Sequence, residues 1–291
     1  MAKTQAAAGK TPARTKDARR APRAAPVRAA ASAAAVEGSG GDPNFMTSLA
    51  RGLAVMRAFS QQRRKLSIAQ ISHQTGIPRA AVRRCLHTLA RLGYVTIDER
   101  DFALSPKILT LGHAYLSSTP LSASAQPFLD RVTAAVHESC SVTILEEDEI
   151  LYVARSAATS RIMSVDLSIG SRLPAYCTSM GRVLLSSLPP TELTAYLGRV
   201  KFRPFTQFTL TSRDKLTKAL ESVREDGYSI VDQELEIGLR SIAVPVNDAS
   251  GKTVAAINIG AQASRASSRQ MEQQFLPHLQ AAARELGLLL G

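Results

Sequence analysis

Arg79, Arg83, Arg84 and Arg91 crowd one short stretch, with His87 among them, and no Asp or Glu occurs between Arg51 and Ile97. Guanidinium groups at that density, without carboxylates to pair with, suit phosphate oxygens and the edges of bases. Their spacing agrees. With Val82 at the origin of a 3.6-residue wheel, Leu86 and Leu89 fall within about 40° of it, while Ala80, Arg83, Arg84, His87 and Arg91 lie roughly 100–200° away. The stretch from Pro78 to Leu92 therefore reads as a helix that buries Val82, Leu86 and Leu89 and offers a basic face. A merely solvated face mixes signs, with acid–base pairs four apart. This face carries one sign, and DNA contact is the better reading.

A second stretch, IGSRLPAYCTSMGRVLLSSL, has the makings of a small-molecule site. Gly170 and Pro174 fix a loop, and Thr178 and Ser179 begin a helix. Free N–H groups at a helix start, with hydroxyls beside them, suit a carboxylate. Plain N-capping by Thr178 or Ser179 would account for the same residues.

Other signatures fail on inspection. Gly251-Lys252-Thr253 resembles the end of a phosphate loop, but Val246 stands where the first Gly belongs; Gly9-Lys10-Thr11 has Thr4 there. His137-Glu138 lacks the second His of a zinc helix, since Ser141 occupies its place. The five His show no ligand spacing, and no Gly-x-Ser-x-Gly elbow occurs. Neither a metal, a cofactor nor an enzymatic activity is expected.

The basic helix needs neighbours to hold it in a groove. Residues 45–60 read as a first helix, with Leu49, Leu53, Met56 and Phe59 as its apolar stripe. Ser67 opens a second, Gln70 completes a capping box, and Ile68 and Ile71 face inward. Gly76 suits a left-handed cap, and Pro78 the first position of the third helix. Gly93 stops that helix. Residues 94–97 and 102–104 form a two-stranded wing turning at 98–101, with Arg100 at its tip. Arg100 touches DNA backbone or minor groove, or pairs with Glu99 or Asp101.

Pro106 opens a linker helix over 106–117, and residues 117–122 read as a break. Beyond it the pattern mixes helices and strands: helix 123–138, strands 141–145, 150–155 and 162–165, helix 178–188 ended by Pro189-Pro190, helix 214–225, strands 229–233, 241–246 and 253–259, and a closing helix 268–290 containing Pro277. Hairpins and flanking helices, rather than regular βαβ units, imply an antiparallel sheet with helices packed on it. The expected organisation is a disordered basic tail (1–44), a winged helix-turn-helix (45–105), the linker (106–121) and a C-terminal domain (122–291) of α+β class.

Charge is distributed accordingly. The 291 residues carry a net +12, but residues 1–97 hold 17 Lys/Arg against Asp17, Glu37 and Asp42. That leaves 19 bases and 21 acids for the rest, so a polyanion partner is implied for the front alone. The tail lacks large apolar side chains and cannot bury a core; its arginines suit non-specific phosphate contact. Cys85, Cys140 and Cys177 are too scattered for a disulfide framework, which fits a reducing compartment. No apolar run approaches the ~18 residues of a membrane span. The expected localisation is bacterial cytoplasm, at the nucleoid.

The winged helix-turn-helix, the linker helix, GSRLPAYCTSMGRVLL and DGYSIVDQELEIGLRSIAVPVNDASGKTVAAINI together resemble the IclR family of bacterial transcription regulators, over residues 46–291. LPAYCTSMGRVLL and VDQELEIGLRSIAVPV are most similar to the subgroup controlling aromatic-acid degradation through the β-ketoadipate pathway. The resemblance implies a GAF-like effector domain, and dimers or dimers of dimers on palindromic operators. It also implies effectors such as protocatechuate, 4-hydroxybenzoate or β-ketoadipate. Carried over by position, the effector pocket comprises Thr178, Ser179, Met180, Asp232, Ser241 and Asn258. The family often has Cys in place of Ser241 and Ser in place of Asn258. Arg161 or Arg240 would serve as a bidentate carboxylate partner, though each reads equally as a surface ion pair with a nearby acid. The DNA contacts expected are Ser67, Arg79, Ala80, Arg83, Arg84, His87 and Arg100. The alternative is a constitutive architectural DNA binder whose C-terminal domain only dimerises.

Overall fold

The structure is a computed structural model that describes residues 42–60, 63–158 and 167–290. Residues 1–41 of the basic tail, the expected strand at 162–165 and Arg161 lie outside the described residues.

The head begins with α1 (Thr47–Arg57), β1 (Leu66–Ser67), α2 (Ile68–Thr75) and α3 (Arg79–Arg91). Ser67 and Gln70 form the capping box, and Gly76 closes α2 at φ 72°. Pro78 sits one place earlier than expected, as the N-cap of α3. Val82, Leu86 and Leu89 are the buried stripe of α3. The stripe expected on α1 is corrected. Leu49 and Leu53 are exposed, and α1 enters the core through Ala54, Val55 and Ala58. Met56 and Phe59, the other half of the expected stripe, pack against that core partly buried. The wing also differs. β2 (Val95–Asp98) and β3 (Asp101–Leu104) form the hairpin, but β1 adds a third strand, with Leu66 opposite Phe102. Two residues are too few to show alternation, which is why β1 escaped notice.

A 3-10 turn (Pro106–Ile108) leads into α4 (Leu109–Ser118) and α5 (Pro120–Val136). The expected break at 117–122 shrinks to Thr119, because Pro120 begins a helix rather than preventing one.

The second domain is built on a six-stranded sheet, entirely antiparallel. Its strands are β4 (Ser139–Glu146), β5 (Glu149–Ser156), β6 (Arg172–Pro174), β7 (Ser229–Asp232), β8 (Leu239–Asn247) and β9 (Thr253–Gln262), in the order β6-β5-β4-β9-β8-β7. Helices cover both faces. On one face α5 and the C-terminal helices pack over Cys140, Val142, Ile242, Val244, Ile257 and Ile259. On the other lie α6 (Ser179–Ser186), α7 (Pro190–Arg199) and α8 (Arg213–Asp226), over Ile150, Tyr152, Ala243 and Ala256. Pro190 starts α7, so the two prolines separate two helices and do not end the helical region. The closing helix is segmented: α9 (Ser268–Gln270), a π turn (Met271–Phe275) and α10 (Leu276–Gly287). The wide turn accommodates Pro277, which cannot donate to the preceding ladder.

Candidate functional site

Two regions gather the residues singled out above. On the head, Arg79, Ala80, Arg83, Arg84, His87 and Arg91 are all exposed, on the side of α3 opposite its buried stripe. Arg100 stands at the wing tip beside Glu99, whose φ of 53° makes the tight turn. It forms no ion pair among the described residues. The neighbouring acid, Asp98, is paired with Lys65 instead. Ser67 is half-buried and engaged in its cap: its N–H donates to Gln70 Oε1 at 2.8 Å, and its Oγ to the same oxygen at 3.0 Å. Arg63 and Arg64 extend the exposed basic surface.

The second region is a cavity of about 600 Å³, its open mouth included, between the α6 side of the sheet and the start of α6. Strand alternation decides what lines it. Ser139 and Ser141 of β4, Asn258 and Gly260 of β9, and Leu239 and Ser241 of β8 point into it, while Cys140, Ile259 and Ile242 point to the opposite core. Opposite the sheet stand Cys177, Thr178, Ser179 and Met180. Thr178 caps α6 by accepting from Gly181 N at 3.2 Å, so capping is part of its role. Ser179, buried, bonds Ser241 Oγ at 2.9 Å, and Thr143 Oγ1 donates to Met180 Sδ at 3.2 Å. These bonds fasten the helix start to the sheet. The approach is close: a Cβ on Gly181 would lie 2.1 Å from the Ala175 carbonyl oxygen. Burial pushes the Cys177 thiol and the Tyr152 phenol up, so both stay neutral.

Thr178, Ser179, Met180, Ser241 and Asn258 thus come together. Asp232 and Arg240 do not. Neighbours of Ser241 and Val231 on their strands, they point away from the cavity and pair with each other at 2.8 Å. Arg240 also donates to the carbonyls of Ala263, at 3.1 Å, and Ala266. Its guanidinium is committed to holding the chain after β9, and it is corrected as a candidate carboxylate partner.

Sequence reasoning missed Arg155 and Glu234, which also line the cavity. Arg155 Nη1 donates to Ser141 Oγ at 3.1 Å. Glu234 is buried and meets Arg182 at 2.7 Å; Leu210 N donates to its carboxylate at 2.9 Å, and Arg182 Nε to the Tyr176 carbonyl at 3.1 Å. With those extra bonds the pair is satisfied and neutral as a unit. Arg155 is therefore the cation left facing the cavity among the described residues. A charge at the end of the apolar run Ile150–Ala154 was the available signal.

Both regions, Arg100 apart, lie in segments that match known protein families. Residues 48–99 match the IclR helix-turn-helix domain, and residues 113–288 the C-terminal domain of bacterial IclR transcriptional regulators. The chain is 56% identical to the Pca regulon regulatory protein of Pseudomonas putida over 262 residues, 90% of each chain. A crystal structure of a transcriptional regulator from Rhodococcus sp. RHA1 superposes with a TM-score of 0.76 at 47% identity, covering 84% of this chain and 98% of that one. The inducer-binding domain of the Acinetobacter PobR transcription factor, solved as a double mutant with 3-hydroxybenzoic acid, matches at 34% identity and a TM-score of 0.54, over 58% of this chain and 98% of that one. On these grounds, the chain belongs to the IclR family of bacterial transcriptional regulators.

Proposed function

We propose that this regulator controls an aromatic-acid breakdown pathway and answers to a small aromatic or dicarboxylic acid bound in the cavity between the sheet and α6. The observation that carries the reading is the cavity itself: five residues expected to hold an effector converge there, on a chain 56% identical to a Pca regulon regulator. The PobR inducer-binding domain, bound to a hydroxybenzoic acid, supports the chemical class.

The head would dock α3 in a major groove, with Arg79, Ala80, Arg83, Arg84 and His87 toward bases and phosphates and Ser67 and Arg100 at the flanks. The functional units would be residues 45–105, 106–121 and 122–291, working in the bacterial cytoplasm. The protein would act as a dimer, or a dimer of dimers, on a palindromic operator. Met46, Leu49 and Leu53 at α1, and Leu109, Leu111 and Tyr115 on α4, are apolar and exposed, as a second copy would require. Effector binding must favour one spacing of the two heads over another, or nothing is transmitted. The connection through α4 and α5, interrupted at Thr119, is the route.

A gel shift on the upstream promoter region tests both halves, run with and without protocatechuate, 4-hydroxybenzoate and β-ketoadipate. A specific shift at moderate salt, altered by one of these acids, is expected. No specific shift sinks the DNA half, and indifference to all three acids sinks the effector half. In the same assay Arg83→Ala should weaken binding by about 1–3 kcal/mol and blur sequence preference. Weakening that is uniform across sequences would assign Arg83 to phosphate.

A further inference from the structure

Arg155 reaches the cavity by a departure from strand alternation. Between β4 and β5, Val142 pairs with Ala154 and Thr143 with Tyr152, so Val153 has no opposite number. At this β-bulge both Val153 and Ala154 turn to the apolar core, and Arg155 emerges on the same face as Tyr152. Regular alternation from Tyr152 would have pointed Arg155 at the other face. Bulges disrupt pairing locally and are over-represented beside binding sites, where they re-aim a side chain.

What the bulge delivers is a guanidinium with capacity to spare. One N–H goes to Ser141, and Arg155 forms no ion pair among the described residues. Ser141 lies opposite Arg155 on one side and opposite Asn258 on the other, so the three stand in a row across β5, β4 and β9. Asn258 is 8% exposed, lines the cavity, and has no side-chain hydrogen bond among the described residues. Buried amides normally find partners within the protein. Beside this row lies Gly260, in register with Ser139 and Ser241. Its φ is not in the left-handed region, and the nearest atom to an added Cβ is Leu239 Cδ1 at 3.9 Å. Neither backbone conformation nor packing calls for a glycine. What it provides is open space on a cavity-facing strand.

We propose that the cavity anchors the carboxylate of its effector on Arg155 and Asn258, with the body of the molecule lying over Gly260. The inference rests on the reading that the cavity binds an acid. It goes beyond that reading in naming the anchor and the residue that limits the size of the ligand. A charge-assisted, bidentate contact on Arg155 makes an acid bind better than its neutral ester.

Calorimetry on the full chain tests it, with 4-hydroxybenzoate, protocatechuate, β-ketoadipate and their methyl esters as probes. The expected results are preference for acid over ester, a loss of about 10- to 100-fold in acid affinity for Arg155→Gln, and partial recovery in Arg155→Lys. Gly260→Ala should weaken the acid by about tenfold or more, with an unliganded unfolding midpoint unchanged or raised. If the wild type binds none of the acids, the effector reading fails and this inference with it. If the wild type binds an acid and Arg155→Gln binds it as tightly, the anchor alone is overturned. An ester bound as tightly as its acid by the wild-type protein also overturns the anchor, without recourse to any variant. Undiminished binding to Gly260→Ala overturns the placement of the ligand body.

Discussion

The two faces of the six-stranded sheet are made by the same strands and covered by helices alike, and they differ chemically where the second opens into the cavity. Beneath α5 and α10 the sheet presents Val142, Ile242, Val244, Ile257 and Ile259, fully or nearly fully buried. Beneath the start of α6 it presents Ser139, Ser141, Arg155, Ser241 and Asn258. Folding alone favours the first arrangement, since each buried apolar side chain stabilises by about 1.5–3 kcal/mol and a buried polar one must first be satisfied. The second is explained by what it can hold. Side by side, the strands separate residues that pack the core from residues that line the cavity, one position apart.

Ile257 and Asn258 are the sharpest way to break the contrast. Ile257 is fully buried, opposite Val142 on one side and Val244 on the other. Ile257→Ala should cost about 2–5 kcal/mol in denaturant unfolding, with effector affinity of the folded protein retained. A cost under about 1 kcal/mol would mean the apolar face is not what holds the domain together. Asn258→Ala should do the reverse. Stability should stay within about 1 kcal/mol, because no hydrogen bond to described residues is lost. Effector affinity should fall by about tenfold, the loss of one hydrogen bond to a charged group. Equal effects of the two substitutions on stability would erase the distinction between the faces.

Much of this division was legible in the sequence. Ser241 and Asn258 are named through the family resemblance alone, and alternation along 241–246 and 255–259 agrees with it, placing both on the side opposite Ile242, Val244, Ile257 and Ile259. The α3 face was legible from periodicity directly: a period of 3.6 separates Arg83 and His87 from Val82 and Leu86. Periodicity fails where geometry is not periodic. Arg155 was missed because a bulge shifts its side, and no local residue type announces a bulge. Arg240 was overvalued because its partners, Asp232 and the carbonyls of Ala263 and Ala266, come together only once β7, β8 and the chain after β9 are assembled. The exposed Leu49 and Leu53 show a third limit. A helix with apolar residues on two sides does not say which one meets its own core.

The least effect should come from Glu138, an acid buried beside the start of β4. Glu138 lies one residue before β4, is 4% exposed, and its Oε2 has no hydrogen-bond partner among the described residues. Burial raises its carboxyl above the ordinary value of 4.5, and Arg265, 3.8 Å away and largely exposed, offsets this only in part. The sign follows from which state releases the proton first. Below about pH 4.5 the group is neutral in both states and destabilises neither. As pH rises through 4.5 toward the raised folded value, the unfolded chain ionises first and stability falls; above the folded value the loss is complete. Glu138→Gln keeps the shape and removes the titration. Its denaturant midpoint should match the wild type at pH 4 and exceed it increasingly toward pH 8. A gap that is constant with pH, or that favours the wild type at pH 8, would mean the contact with Arg265 outweighs burial, and that even this edge of the apolar face tolerates charge.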